Sequence, residues 1–297
     1  MAMEKLIVRI KQGPFILDGA TGTQLMASGA AAGVCNDYLN IESPEIVAGV
    51  HRAYIQAGSD AIITNTFGAN KITLSRHGHG DKAAQINLAA GEIARKAAGR
   101  DRFVLGDIGP CGEFLEPLGT LKANDLKEVF REQARALTDG GVDGLIIETM
   151  TDLHETIIAV EAVKSTSELP IFVSLSYDTA GEGYRTMMGV EPAAAIEQIA
   201  SLGVDAIGFN CGTLTMDEYI KLTQVHTASA SGKDIAIIAE PNAGKPELDG
   251  QRTVYRLSPE DFADAAVEIN LAGATILGGC CGTTPEHIKA MAEKIKG

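Results

Sequence analysis

The chain has 297 residues, 45% of them apolar and 22% charged, a balance that describes a compact globule and excludes a disordered tail or a coiled coil. Lys and Arg total 25 against 39 Asp and Glu, a net charge of −14 that argues against nucleic acid or an anionic membrane as a partner. No apolar run approaches the roughly 18 residues of a membrane span.

From the N-terminus, Met1 to Phe15 mixes Glu4, Lys5, Arg9 and Lys11 with apolar residues and lacks the core of a signal peptide, which points to the cytoplasm. Short apolar runs then alternate with segments of helical spacing. A strand over Phe15–Leu17 is followed by a helix over Pro44–Gln56, then Ala61–Thr64 by Lys82–Ala98, Phe103–Leu105 by Asp125–Thr138 and Gly144–Ile147 by Leu153–Ser165. The second half repeats the pattern: Ile171–Leu175 with Pro192–Leu202, Ala206–Phe209 with Met216–Ala230, Ile235–Ala239 with Pro259–Leu271, and Thr275–Leu277 with Pro285–Ile295. The strand segments are nearly continuous apolar runs, as in a parallel sheet buried on both faces.

Ser43-Pro44, Ser258-Pro259 and Thr284-Pro285 each place a capping hydroxyl before a proline at the first helical position. The joints "AGSDAII", "GGVDGLII", "LGVDAIGF" and "LAGATIL" repeat one helix–glycine–strand transition. Eight strands alternating with eight helices predict an α/β fold, a (β/α)8 TIM barrel, with a doubly wound open sheet as the other arrangement such alternation allows. No linker or charge block divides residues 1–297, so one domain is expected.

A barrel of this kind builds its active site at the C-terminal ends of the strands. Those ends carry Asp18, Asn65, Asp107, Glu148, Ser176, Asn210-Cys211, Glu240 and Gly279-Cys280-Cys281. Any one Asp or Asn there is also a common turn former. All eight ends being polar suggests a mouth with chemistry.

Five cysteines are too few, and odd in number, for a disulfide framework. Cys211 follows the sixth strand, and Cys280 and Cys281 follow the eighth, flanked by Gly278-Gly279 and Gly282. Three thiolates meeting over one mouth would suit Zn²⁺ and leave a fourth position open, as catalytic zinc sites do. A vicinal redox disulfide between Cys280 and Cys281 is the rival reading, and it would not need Cys211. Cys35 and Cys111 are expected to pack as small hydrophobes or to occupy loops. A free thiol has a pKa near ~8.5, and a coordinating metal deprotonates it outright. Three cysteinates would keep a further sulfur electron-rich, which points to alkyl transfer to sulfur.

The segments "ILDGATGTQL" (16–25), "TNTFGAN" (64–70), "GFNCG" (208–212) and "GGCCGTTPEHI" (278–288) resemble the homocysteine S-methyltransferase family. "GDIGPCGEFLEPLGTL" (106–121) and "AEPNAGKP" (239–246) look most like the homocysteine module of cobalamin-dependent methionine synthase. The resemblance implies a zinc-bearing barrel that methylates homocysteine to methionine, with Cys211, Cys280 and Cys281 as ligands. It implies Asp18 and Glu148 as partners of the substrate's α-ammonium, and backbone amides of the turn from Gly19 through Thr21 to Thr23 as receivers of its carboxylate. Asn242 matches a position that can fill the zinc's fourth site before substrate arrives. His77 and His79 in "RHGHGD" are expected in a solvated loop, and Glu182 and Arg185 beside the mouth or in a lid.

Nothing in the chain resembles a folate-binding, corrinoid-binding or reactivation domain. The methyl donor is therefore expected from outside, as methylcobalamin on a separate corrinoid protein. The alternatives are a small donor such as S-methylmethionine or betaine, and a non-catalytic subunit that binds zinc or a thiol.

Overall fold

The computed structural model describes residues 2–29, 33–250 and 252–297. Eight parallel strands form one sheet: β1 (Phe15–Ile16), β2 (Ala61–Ile63), β3 (Phe103–Ile108), β4 (Gly144–Met150), β5 (Ile171–Leu175), β6 (Ala206–Asn210), β7 (Ala236–Glu240) and β8 (Ile276–Leu277). Each pairs with its neighbour in sequence from β2 to β8, and β1 pairs with β8. The seam between β1 and β2 is closed largely by side chains. Asp60 donates its N–H to the Ile16 carbonyl at 2.7 Å and accepts the Ile16 N–H on its carboxylate at 2.9 Å. Asp18 accepts the Ile63 N–H at 2.9 Å. A sheet that returns β1 to β8 is a (β/α)8 barrel, and the open doubly wound alternative does not hold.

The eight outer helices lie where the periodicity placed them, with Pro44–Gln56 and Pro259–Leu271 matching to the residue. Ser258 caps its helix by accepting the Asp261 N–H at 3.2 Å. Ser43 does not: its side chain makes no cap bond, and Pro44 starts that helix without one. At the helix–strand joints Gly58, Gly141, Gly203 and Gly273 all have positive φ, between 71° and 117°, a region L side chains rarely adopt.

Along each strand the inner and outer faces alternate. Outward residues such as Ile62, Val104, Ile147, Val173, Ile207 and Phe209 pack against the helices. The inner cluster holds Phe15, Leu17, Ile63, Leu105, Ile146, Phe172, Ala206, Ile238 and Ile276. Burying each large side chain stabilises the fold by about 1.5–3 kcal/mol. A helix over Ala2–Lys11, not foreseen from the sequence, adds Leu6 and Ile10 to this inner cluster at the N-terminal end of the barrel. Two steps further along the same inner face the apolar series ends: Leu105 gives way to Asp107, Ile146 to Glu148, Phe172 to Ser174 and Ile238 to Glu240. The barrel is thus plugged with hydrocarbon at one end and lined with polar groups at the other.

Candidate metal centre at the barrel mouth

The structure brings Cys211, Cys280 and Cys281 together. Their sulfur atoms all lie within 4.8 Å of one another, and Cys211 Sγ is 3.8 Å from Cys281 Sγ. A tetrahedron with metal–sulfur bonds of about 2.3 Å has sulfur–sulfur edges of about 3.8 Å, so the spacing suits a thiophilic cation such as Zn²⁺. All five cysteines are free thiols, and no vicinal disulfide joins Cys280 to Cys281. Hydrogen bonding with Cys211 and Cys280 pushes the Cys281 pKa down to about 3. Those same contacts, with burial, push Cys280 well above the usual thiol range.

The backbone sets this spacing. Cys211 has φ +58°, a left-handed conformation unfavourable for a non-glycine residue, and its carbonyl is fixed by the Tyr219 hydroxyl at 2.6 Å. Cys280 and Cys281 open a turn in which Thr283 donates its N–H to the Cys280 carbonyl at 3.1 Å. Gly282 completes it with φ +80°, and the Tyr255 ring packs so closely on it that no side chain could be added. Two further backbone bonds tie this turn to the loop after β7: Cys280 N–H to the Pro241 carbonyl and Ala243 N–H to the Cys281 carbonyl, both 2.9 Å.

Asn242 lies between those two bonds. Its Nδ2 donates to the Gly212 carbonyl at 2.7 Å, while its Oδ1 is buried with no hydrogen-bond partner. A buried amide oxygen without a donor is unfavourable. The neighbours of Asn242, Pro241 and Ala243, are bonded to the cysteine turn, and three thiols with an unpartnered amide oxygen in the adjoining loop are a donor set that fits zinc.

Below the sulfurs sit four carboxylates. Asp18, Asp107 and Glu240 are buried, and Glu148 keeps some contact with solvent. Burial raises Asp18 well above the usual range, opposed by the Ile63 N–H and reinforced by Glu148. Burial and the neighbouring Cys281 push Glu148 up to about 7. Asp107 Oδ1 and Glu240 Oε2 have no hydrogen-bond partner, and burial followed by the charge of Glu148 raises both groups. A cluster of poorly solvated acidic groups whose ionisation is opposed by burial and mutual repulsion is suited to an ammonium group, which would stabilise their charged forms.

The homocysteine S-methyltransferase family model matches residues 15–295. The chain belongs to the homocysteine S-methyltransferase family. It is 34% identical to a methionine synthase of Mycobacterium tuberculosis over 96% of its own length, and 33% identical to that of Mycobacterium leprae over 98%. It spans about a quarter of the length of those relatives, 25% in each case. In fold it is similar to the homocysteine methyltransferase MmuM of Escherichia coli. The metallated form gives a TM-score of 0.80 at 22% identity, covering 99% of this chain and 100% of that one. The oxidised form gives 0.78 at 23%, covering 95% and 96%.

In this homocysteine S-methyltransferase homologue the turn after β1 is shorter than expected. A helix runs from Thr21 to Ala27, so only Gly19 and Ala20 form the turn, and the Ala20 amide is taken by Thr283 Oγ1 at 3.0 Å. Of the amides from Gly19 to Thr23, that of Ala20 is thus engaged within the protein. The histidine pair also departs from expectation: His77 is exposed, but His79 stacks on Tyr38 with ring centroids 3.8 Å apart. Arg185 pairs with Glu191 at 2.7 Å on a hairpin formed by Asp178–Ala180 and Gly183–Arg185, with Glu182 in its turn. Cys111 is buried, donating its N–H to Glu155 at 2.7 Å, and Cys35 stands 3.8 Å from Asp37, both away from the trio.

Several contributors were missed. Ser174, on the inner face of β5, donates its hydroxyl to Asn210 Oδ1 at 2.8 Å, and counting by two from Phe172 would have found it alongside Ser176. Asp178 accepts both the Thr213 N–H, at 2.8 Å, and its hydroxyl, at 2.6 Å, bracing the turn after Cys211 from the neighbouring loop. Tyr255 follows a second hairpin, Glu247–Asp249 with Arg252–Val254, whose first strand is exposed and carries no hydrophobic alternation.

Proposed function

We propose that the chain transfers a methyl group to the thiol of homocysteine, giving methionine, at a Zn²⁺ ion held by Cys211, Cys280 and Cys281. The observation that carries this reading is the convergence of three free thiols at tetrahedral spacing above a carboxylate floor, within a barrel of this family. Zinc held by three cysteinates supplies the Lewis acidity that converts a thiol of pKa near ~8.5 into a thiolate while leaving the sulfur electron-rich. Asp18 and Glu148 receive the α-ammonium by charge-assisted hydrogen bonds, and the amides near Gly19 and Thr21 orient the α-carboxylate. Asn242, whose side-chain oxygen has no hydrogen-bond partner, would be the residue to complete the metal's donor set when substrate is absent. The substrate sulfur gives a lone pair to the methyl carbon in line with the bond that breaks, and the donor departs with that bonding pair.

For the donor we favour methylcobalamin presented by a separate corrinoid protein. The support is a rim of exposed apolar side chains on the loops above the strand ends, namely Phe67, Phe114, Leu118, Met187 and Leu248. Among the described residues no helix is long and apolar enough to cross a membrane. Five free thiols fit a reducing, cytoplasmic setting. A small cationic donor, S-methylmethionine or betaine, is the second reading, favoured by the anionic mouth. Anaerobic assays of the zinc-loaded chain with homocysteine and each donor in turn decide between them. Methionine formed only with the methylated corrinoid protein supports the first reading, and methionine formed with S-methylmethionine or betaine alone supports the second. Zinc binding without turnover on any donor would leave only a binding subunit.

A further inference from the structure

Asn210 ends β6 and is buried, and its amide is fully engaged. Oδ1 accepts the Thr149 N–H at 2.8 Å and the Ser174 hydroxyl at 2.8 Å. Nδ2 donates to Thr149 Oγ1 at 2.6 Å and faces Cys280 Sγ at 3.8 Å. One side chain thus uses both lone pairs and both N–H groups, reaching β4, β5 and the turn after β8.

The partner Thr149 is unusual. Its φ is +58°, a conformation in which a β-branched residue is an outlier. It lies in a break of the β4–β5 register, where Ile147 pairs with Val173 but Met150 pairs with Leu175. Three steps on β4 therefore match two on β5, which is a β-bulge occupied by Glu148 and Thr149. A bulge leaves ladder groups unpaired and re-aims side chains. The Asn210 amide supplies the acceptor that the Thr149 N–H lacks and a donor for its hydroxyl.

We propose that Asn210 is a positioning residue for substrate recognition: it holds the Thr149 bulge and thereby fixes Glu148 toward the ammonium of the amino-acid substrate while touching the metal-site sulfur of Cys280. The inference rests on the reading of Glu148 given above. An aliphatic residue at 210 would leave the Thr149 N–H without its partner and the bulge free to relax into regular register. Glutamine, one methylene longer, does not fit the same four contacts. The arrangement makes the substrate's amino group and its sulfur recognised by parts of one hydrogen-bonded unit.

The test is a double-mutant cycle on the zinc-loaded protein, with L-homocysteine binding measured by calorimetry and zinc content measured alongside. Glu148→Gln is expected to weaken binding about tenfold. Asn210→Ala should weaken it about tenfold in the native background and less than about twofold in the Glu148→Gln background, with zinc content unchanged. Thr149→Val, which replaces only the hydroxyl that Asn210 contacts, covers the case in which Asn210→Ala does not fold. It should show a smaller loss with the same dependence on Glu148. Equal losses in both backgrounds would overturn the inference, because Asn210 would then act independently of Glu148. Unchanged binding in Glu148→Gln alone would instead overturn the assignment of Glu148 itself.

Discussion

The sulfur atoms of Cys211 and Cys281 stand 3.8 Å apart although 70 residues separate them in the chain. The barrel brings them together by placing the ends of β6 and β8 on either side of β7. The Tyr219 hydroxyl and the Ala243 N–H, which donate to the Cys211 and Cys281 carbonyls, and the Pro241 carbonyl, which accepts the Cys280 N–H, then fix the two turns. The spacing thus follows from the strand order and the hydrogen bonds of the two turns.

Removing one sulfur should therefore abolish metal retention. Cys211→Ala and Cys281→Ala are each expected to fall from about one zinc per chain to a small fraction of that, because a site with two thiolates and a neutral amide is no longer a closed tetrahedral set. Cys35→Ala, outside the trio, should keep its zinc. Elemental analysis after dialysis measures this, and full zinc in Cys281→Ala would eliminate the three-cysteine site.

The carboxylates should govern substrate affinity without governing the metal. Asp18→Asn keeps an oxygen for the Ile63 N–H, now bonded at 2.9 Å, while removing the charge. Losing one charge-assisted bond to the ammonium is worth about 1.5–3 kcal/mol, so KM for homocysteine should rise roughly 10- to 150-fold. Steady-state kinetics with zinc content measured in parallel checks this, and an unchanged KM would remove Asp18 from the substrate site.

The turn beside Asp18 leaves no room for a side chain. A Cβ at Gly19 would lie 2.6 Å from Thr283 Oγ1 and 3.0 Å from the Tyr54 ring and hydroxyl. Gly19→Ala should destabilise the protein by about 1–3 kcal/mol, as overpacking does. Urea unfolding gives the loss, and a stability equal to that of the native chain would contradict the packing.

Acid should weaken the fold partly through a buried histidine. His51 is fully buried, neither ring nitrogen has a partner, and burial pushes its pKa down to about 4 from 6.5. The unfolded chain thus binds a proton that the folded chain refuses between these values. Stability from the neutral ring is complete above pH 6.5 and is lost as pH falls toward 4. The loss is about 2–3 kcal/mol by pH 4.5. The raised carboxylates act in the opposite direction, so the measurement is the difference between native protein and His51→Leu in urea titrations at pH 7.5 and 4.5. A loss that is the same in both would contradict it.

Much of this architecture was legible because the barrel strands are buried on both faces and their apolar runs stand out between glycine joints. The cysteine trio was legible because the strand count alone puts residues 211, 280 and 281 at one end. The helix Ala2–Lys11 and the two mouth hairpins were not. The hairpin strands lie mostly at the surface, with Glu247–Asp249 fully exposed, and carry no hydrophobic alternation. Nor could spacing reveal the left-handed backbone at Thr149 and Cys211, which depends on Asn210 and Tyr219 reaching across from other elements.

The most direct test of the central claim is X-ray absorption at the zinc edge of the loaded protein, with and without homocysteine. The account predicts three sulfurs at about 2.3 Å and one lighter oxygen or nitrogen neighbour in the free protein, becoming four sulfurs when homocysteine is added. Fewer than three sulfurs in the free protein, or a shell that homocysteine leaves unchanged, would contradict it.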